Sequence, residues 1–290
     1  MGAKRLLPAL LFTALVTLGG AIIALFATLP DPAAFRDAWP ESTAYMHLRA
    51  AHAEAEGRQF RLRYSPVPLA RIPASVQRAV RVSEDAAFFQ HRGFDWYEVR
   101  QAVGKALEEG EAPRGASTIT QQLARNLYLS PSRHLFRKLR EALITERLEA
   151  RLSKQRIFEL YLNVIEFGPG VFGVEAAARH YFGIPVAEVG PREAAALAAT
   201  IPAPRTQNPL TDTRGFRWRA ELAYARAFGE SDTLAEGGMD ALSRPNGSDA
   251  GLDMDAVNGT EERVPDAGEM PDASEMPAGM DRDPVEIRPE

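Results

Sequence analysis

The chain has 290 residues, 34 Lys plus Arg against 39 Asp plus Glu, and a formal net charge of −5. That length allows one large domain or two modest ones, and the 45% hydrophobic, 25% charged composition excludes a wholly disordered or polytopic membrane chain. With no cysteine, disulfide staples, a thiol nucleophile and thiolate metal sites are excluded.

The net charge averages two unlike parts. Residues 229–290 hold seventeen acids and four Arg, a balance of −13, which leaves +8 on residues 1–228. The five His, at 47, 52, 91, 134 and 180, show no paired metal-ligand spacing, and no residue is assigned to a metal.

Lys4-Arg5 is followed by 24 uncharged residues, Leu6 to Leu29. As a helix this run would reach about 36 Å, enough to cross a hydrocarbon core with some tilt. Basic residues before it and Asp31 after it predict a cytoplasmic N-terminus and an exported remainder. The competing reading, a cleaved signal peptide, has a shorter apolar region of about 7–15 residues and a cleavage site that is not evident near Ala27. The expected organisation is an anchor at 1–30, a connector at 31–68, a domain at 69–228 and an acidic tail at 229–290.

From Leu69 to Phe228 helical periodicity dominates. Ile72, Val76 and Val80 make one apolar stripe; Leu135, Leu139 and Leu143 make a second. Ile157, Leu160, Tyr161 and Val164 follow the helical spacing, and Ala194 to Ala199 form an Ala-rich helix. No alternating run argues for a substantial sheet, so the fold class is mainly α. After Phe228 there is no aromatic residue, and Gly, Pro, acids and Met alternate. Such a segment cannot bury enough apolar surface to offset its ordering entropy, so disorder is expected. Its two Asn-x-Ser/Thr triplets, at Asn246 and Asn258, read as chance matches.

Three segments carry candidate chemistry. In EDAAFFQHRGFDW, residues 84–96, Glu84 continues the Val76–Val80 stripe and leaves its helix on the buried side. Desolvation there would raise its pKa toward that of a general base; the alternative is a helix-end Glu paired with Arg81 or Arg92. In GASTITQQLARN, residues 115–126, Thr118 and Gln121 fit a capping box, and Ile119, Leu123 and Leu127 form an apolar face. Thr118, Gln121, Gln122 and Arg125 form a polar stripe suited to sugar and phosphate oxygens, or simply a solvated face. In SPSRHLFRKLREAL, residues 130–143, Arg137 and Glu141 share a face away from the Leu stripe. They make either a surface ion pair or a second carboxylate held among Arg133, Arg137 and Lys138. GPGVFG, residues 168–173, spells a dinucleotide fingerprint but follows a helical pattern rather than a strand, so a tight turn is expected instead.

In order and spacing, these segments together with SKQRIFELYLNVIEFGPGVFGVEAAARHYFG resemble the defining motifs of family 51 glycosyltransferases, the peptidoglycan transglycosylases, over about residues 69–210. The type that the chain most resembles is the monofunctional biosynthetic one, since no S-x-x-K or K-T-G of a penicillin-binding module is present. The resemblance implies a lysozyme-like helical glycosyltransferase domain behind one N-terminal transmembrane helix, acting at the outer, periplasmic face of the cytoplasmic membrane. It implies polymerisation of lipid II into β-1,4-linked glycan, with inversion and release of undecaprenyl diphosphate.

By the same resemblance Glu84 is the general base and Glu141 the second catalytic carboxylate. Arg125, Arg133, Arg137 and Lys138 match basic positions, and Ser117, Thr118, Gln121, Gln122 and Asn126 match the polar strip beside the cleft. Arg125 and Ile184 stand where Lys is usual, and the acidic tail has no family counterpart. The implied partners are lipid II, the growing lipid-linked strand, membrane lipids and other cell-wall synthesis proteins, with no nucleic acid. A divalent cation, Mg2+ or Mn2+, could assist at the diphosphate. The competing readings are a lysozyme-like hydrolase or lytic enzyme, since two carboxylates on such a fold also describe glycosidases, and a non-catalytic envelope scaffold.

Overall fold

The computed structural model describes residues 12–229 apart from 14, 18, 21–22, 111–116 and 130–134. The tail from 230 onward, residues 1–11 and Arg133 therefore lie outside the described residues. So does part of the 6–29 run, and among the described residues no helix is long and apolar enough to cross a membrane.

The described chain is mainly helical. Nine α-helices follow in order: α1 (Ala44–Ala55), α2 (Ala74–Glu84), α3 (Trp96–Glu109), α4 (Ile119–Tyr128), α5 (Leu135–Arg151), α6 (Lys154–Val164), α7 (Val174–Phe182), α8 (Pro191–Thr200) and α9 (Arg214–Phe228). Their starts use ordinary cap chemistry: Asp95 accepts from Tyr97 N and Glu98 N, Ser153 from Arg156 N, and Thr213 from Phe216 N. α3 and α7 end at Gly110 and Gly183, both left-handed, where a side chain would be strained.

The core forms where the apolar stripes meet. α2 buries Val76, Ala79 and Val80 against α8 and α9; α4 buries Ile119, Leu123 and Leu127 against α5 and α6. Each fully buried aliphatic side chain contributes about 1.5–3 kcal/mol. In α6 the stripe Ile157, Leu160, Tyr161 and Val164 is buried throughout, as its spacing implies.

α5 departs from its expected orientation. Leu139 is exposed and Leu143 only partly buried, whereas Glu141, Ile144, Thr145 and Leu148 are fully buried. The helix turns its charged face inward, so Arg137 and Glu141 do not form a surface pair. Hydrophobicity alone misassigns it because Glu141 is buried with two cations reaching back to it from the more exposed side of the helix.

A small sheet also appears: β1 (Arg63–Tyr64) runs parallel to β3 (Val171–Phe172), which pairs antiparallel with β2 (Glu166–Gly168). GPGVFG thus closes a hairpin before α7 begins, with no strand–loop–helix crossover. At Gly170 a left-handed backbone and Arg61 O, 2.3 Å from where a Cβ would sit, leave no room for any other residue.

Residues 31–68 are stitched to the helices. Arg156 donates to Phe35 O at 2.7 Å and Ala38 O at 2.6 Å, and its guanidinium lies 4.3 Å from the Trp39 ring centre. Asn163, buried in α6, bonds both backbone groups of Val67. Further upstream, Arg140 donates to the hydroxyl and carbonyl of Thr28, both at 3.0 Å. Arg147 donates to Phe26 O at 3.0 Å, Leu29 O at 2.8 Å and Pro30 O at 3.3 Å. Two guanidinium groups of α5 therefore satisfy the carbonyls that end the N-terminal helical segment.

Candidate active site

Glu84 is the last residue of α2, where Asp85 leaves helical geometry. The helix aims Glu84 along the Val76–Val80 side toward α4, and its Oε2 accepts from Gln122 Nε2 at 2.9 Å. Arg81 does not pair with it; Arg81 donates to Ala86 O at 3.0 Å. Although Glu84 keeps some solvent access, burial pushes its carboxyl above the usual carboxylate range. The Gln122 hydrogen bond and the Arg125 charge pull it down, and nearby Asp85 adds to the rise.

The start of α4 is built by neighbouring polar groups. Thr118 N donates to Gln121 Oε1 at 3.0 Å and Gln121 N to Thr118 Oγ1 at 3.3 Å, so the capping box is formed. Thr118 Oγ1 also donates to Gly93 O at 2.6 Å. Both residues are buried, so this pair is spent on the helix start rather than lining an open polar strip. Half-buried Ser117 precedes the cap, and Asn126 donates from its side chain to Gln122 O at 2.9 Å.

Asp85, not singled out by the sequence, joins the two motifs. Its Oδ2 accepts from Ile119 N at 3.0 Å, and its carboxylate meets His91 Nε2 at 3.0 and 3.1 Å. A carboxylate at a helix N-terminus is favoured by the exposed amides and by the helix dipole. Tyr161 was legible only as part of an apolar stripe, yet its hydroxyl donates to Gln122 Oε1 at 2.9 Å. The signal for it is general: a buried Tyr hydroxyl almost always finds a partner.

Glu141 lies on α5, which packs against α4. Its side chain is fully buried, with Arg137 Nη1 at 2.9 Å from Oε2 and Lys138 Nζ at 2.5 Å from Oε1. Both cations reach outward, Arg137 one-fifth and Lys138 half exposed, so the cluster presents positive charge at the surface over a buried anion. Arg125 adds a cation on α4, felt at both Glu84 and Tyr161. Among the described residues no group of three or more His, Asp or Glu converges as a protein-held metal ion would need. A cation carried chiefly by the phosphates of a substrate needs no such cage, and no step is derived through one.

With a half-buried carboxylate of raised pKa bonded to α4, and cations over a second carboxylate on the helix packed against α4, such groups can take a proton from a hydroxyl and stabilise an anionic leaving group. A family model described as transglycosylase matches residues 52–227. The chain belongs to the transglycosylase family. It is 43% identical over 220 residues to the biosynthetic peptidoglycan transglycosylase of Azoarcus sp. (strain BH72), covering 72% of this chain and 95% of that relative. It is 46% identical over 190 residues to the protein of the same name from Aromatoleum aromaticum, covering 64% and 83% of the two chains. With that of Laribacter hongkongensis it shares 49% identity over 187 residues, covering 64% and 82%. The transglycosylase match begins inside α1 and ends in α9, so it takes in part of the stitched segment and stops before the acidic tail.

Proposed function

We infer that this chain is a peptidoglycan glycosyltransferase that polymerises lipid II into β-1,4-linked glycan strands. The observation that carries the reading is the arrangement around α4. Glu84 stands desolvated with Gln122 on its carboxylate, and α5 holds Glu141 between Arg137 and Lys138. Family membership supplies the chemical setting.

Glu84 takes the proton from the 4-hydroxyl of the acceptor sugar as that oxygen attacks C1 of the donor. The bond from C1 to the diphosphate breaks with inversion, and undecaprenyl diphosphate departs with the electron pair. That leaving group needs charge neutralised rather than a proton, which suits the cations at 125, 137 and 138. Arg133 belongs to the same basic stretch by sequence.

The uncharged run from Leu6 to Leu29 supports reading the chain as a single-pass protein of the cytoplasmic membrane, its catalytic part on the outer side. In this setting the lipid-linked substrate and anionic lipids are drawn to the +8 charge of residues 1–228. The test is incubation of labelled lipid II with purified protein and its Glu84→Gln variant. Long glycan from the wild type alone supports the reading; muropeptides released from finished sacculi mean a hydrolase and overturn it.

A further inference from the structure

The Glu84 carboxylate ends a three-member hydrogen-bond chain that spans three helices. Tyr161 Oη, on α6, donates to Gln122 Oε1 at 2.9 Å, and Gln122 Nε2, on α4, donates to Glu84 Oε2, on α2, at 2.9 Å. The outer member cannot drift, because Tyr161 is fully buried in the core. The middle member is held through its backbone, with Gln122 N on Thr118 O and Gln122 O accepting from Asn126, both at 2.9 Å.

A primary amide has one donating end and one accepting end. An ionised carboxylate only accepts, so Nε2 faces Glu84 and Oε1 faces Tyr161. Tyr161 must then donate, and it keeps its proton, since burial and the charge of Glu84 push its pKa well above the ordinary value. A protonated Glu84 could donate into the chain only if the amide turned over. That would bring Nε2 against Tyr161 and strip the phenol of its acceptor.

We propose that Tyr161 is a positioning residue for Glu84: through Gln122 it locks one amide polarity, which favours the ionised carboxylate and fixes its direction. The assignment rests on the proposed function only where it concerns rate; its effect on the Glu84 titration stands independently. The other charges felt at Glu84 are Arg125 on α4 and Asp85 beside it, and neither is altered by removing the phenol oxygen.

The experiment is a carbon-detected NMR titration of the Glu84 carboxyl in the full chain, assigned with Glu84→Gln. It compares wild type, Tyr161→Phe, Gln122→Met and the double variant. Tyr161→Phe should raise the Glu84 midpoint by up to about one pH unit, the scale of one neutral hydrogen bond. Gln122→Met should raise it at least as much, and the double variant no further than Gln122→Met alone. The acid limb of kcat/KM for lipid II polymerisation should move with the midpoint. A lowered melting temperature with an unmoved midpoint would make the hydroxyl merely structural and overturn the proposal, as would additive shifts in the double variant. A midpoint that moves while the acid limb stays put supports the hydrogen-bond chain and overturns Glu84 as the base. Should Tyr161→Phe fold poorly, Gln122→Met at its half-buried position decides the question: an unmoved midpoint there also overturns the proposal.

Discussion

Arg137 Nη1 lies 2.9 Å from Glu141 Oε2, one turn along α5, with the Glu141 side chain buried and Arg137 reaching toward the surface. A solvent-exposed pair of this spacing contributes a few tenths of a kcal/mol. Here one end is fully desolvated, so removing Arg137 leaves Glu141 with Lys138, itself half exposed, as its remaining close cation in the pair geometry. Arg137→Ala should therefore cost about 1–3 kcal/mol of stability, between the surface and fully buried limits. It should also lower kcat at saturating lipid II. Calorimetry alongside the polymerisation rate checks both; a stability loss with turnover intact would remove Arg137 from the leaving-group site.

Glu84→Gln should reduce polymerisation by at least about 10²-fold, since a base contributes typically 10²–10⁴. Its effect on stability has the opposite sign. The folded-state pKa of Glu84 is raised, so its stabilising contribution is fully present below the unfolded carboxylate pKa and lost as pH rises through the folded value. At neutral pH the variant should melt at a higher temperature than the wild type, and the gain should vanish in acid. Melting curves across that range decide the sign.

Gly93 has φ +83°, and a Cβ there would sit 2.8 Å from Thr145 Cγ2 and 3.3 Å from Glu149 Cγ. Its carbonyl also receives Thr118 Oγ1, so any shift is passed to the cap of α4. Gly93→Ala should destabilise by about 1–3 kcal/mol through backbone strain and the clash. Gly104→Ala, in the middle of α3 with open space around it, should be neutral or stabilising by comparison. Chemical denaturation of the two variants makes the comparison.

The arginines of α5 that reach the N-terminal segment should control its local opening. Replacing Arg140 and Arg147 together by Gln removes donors from Phe26 O, Thr28 O, Leu29 O and Pro30 O. Hydrogen exchange should speed up in residues 26–38 while the α8–α9 core remains protected. Unchanged exchange would mean that packing, not these bonds, holds the segment.

The acidic segment after Gly229 lies beyond the family match, which ends at residue 227. Truncation after Gly229 should leave both melting temperature and specific activity on lipid II unchanged. A large fall in either would show that the segment packs on the domain.

Much of this arrangement is legible in the residues. The stripes through Val76–Val80 and Ile157–Val164 give the buried faces of α2 and α6, and Thr118 with Gln121 gives the start of α4. The inward aim of Glu84 follows from the first of these. α5 is not legible in the same way, because three Leu outweigh one Glu in any hydrophobic periodicity. The burial of Glu141 depends instead on Arg137 and Lys138 reaching back to its carboxylate from the more exposed side of the helix. Strands of two and three residues are too short to show alternation. Asp85 is hidden for a different reason: His91 lies six residues on in the same segment, but Ile119 N, which the carboxylate caps, lies on a segment that only the tertiary fold brings to it.

The stitches from Arg140, Arg147 and Arg156 end mostly on main-chain carbonyls of residues 26–38. Every amino acid offers the same carbonyl, so the identity of the side chains along that stretch is free to drift while the arginines are not. Spacing is a stricter matter: one inserted or deleted residue between Pro30 and Phe35 would put the acceptors of Arg147 and those of Arg156 out of register with each other. A foreign apolar segment grafted at residue 25 should thus be accepted if the count from Phe26 onward is preserved. The same graft made with a one-residue slip should leave the catalytic part swinging on a loose tether.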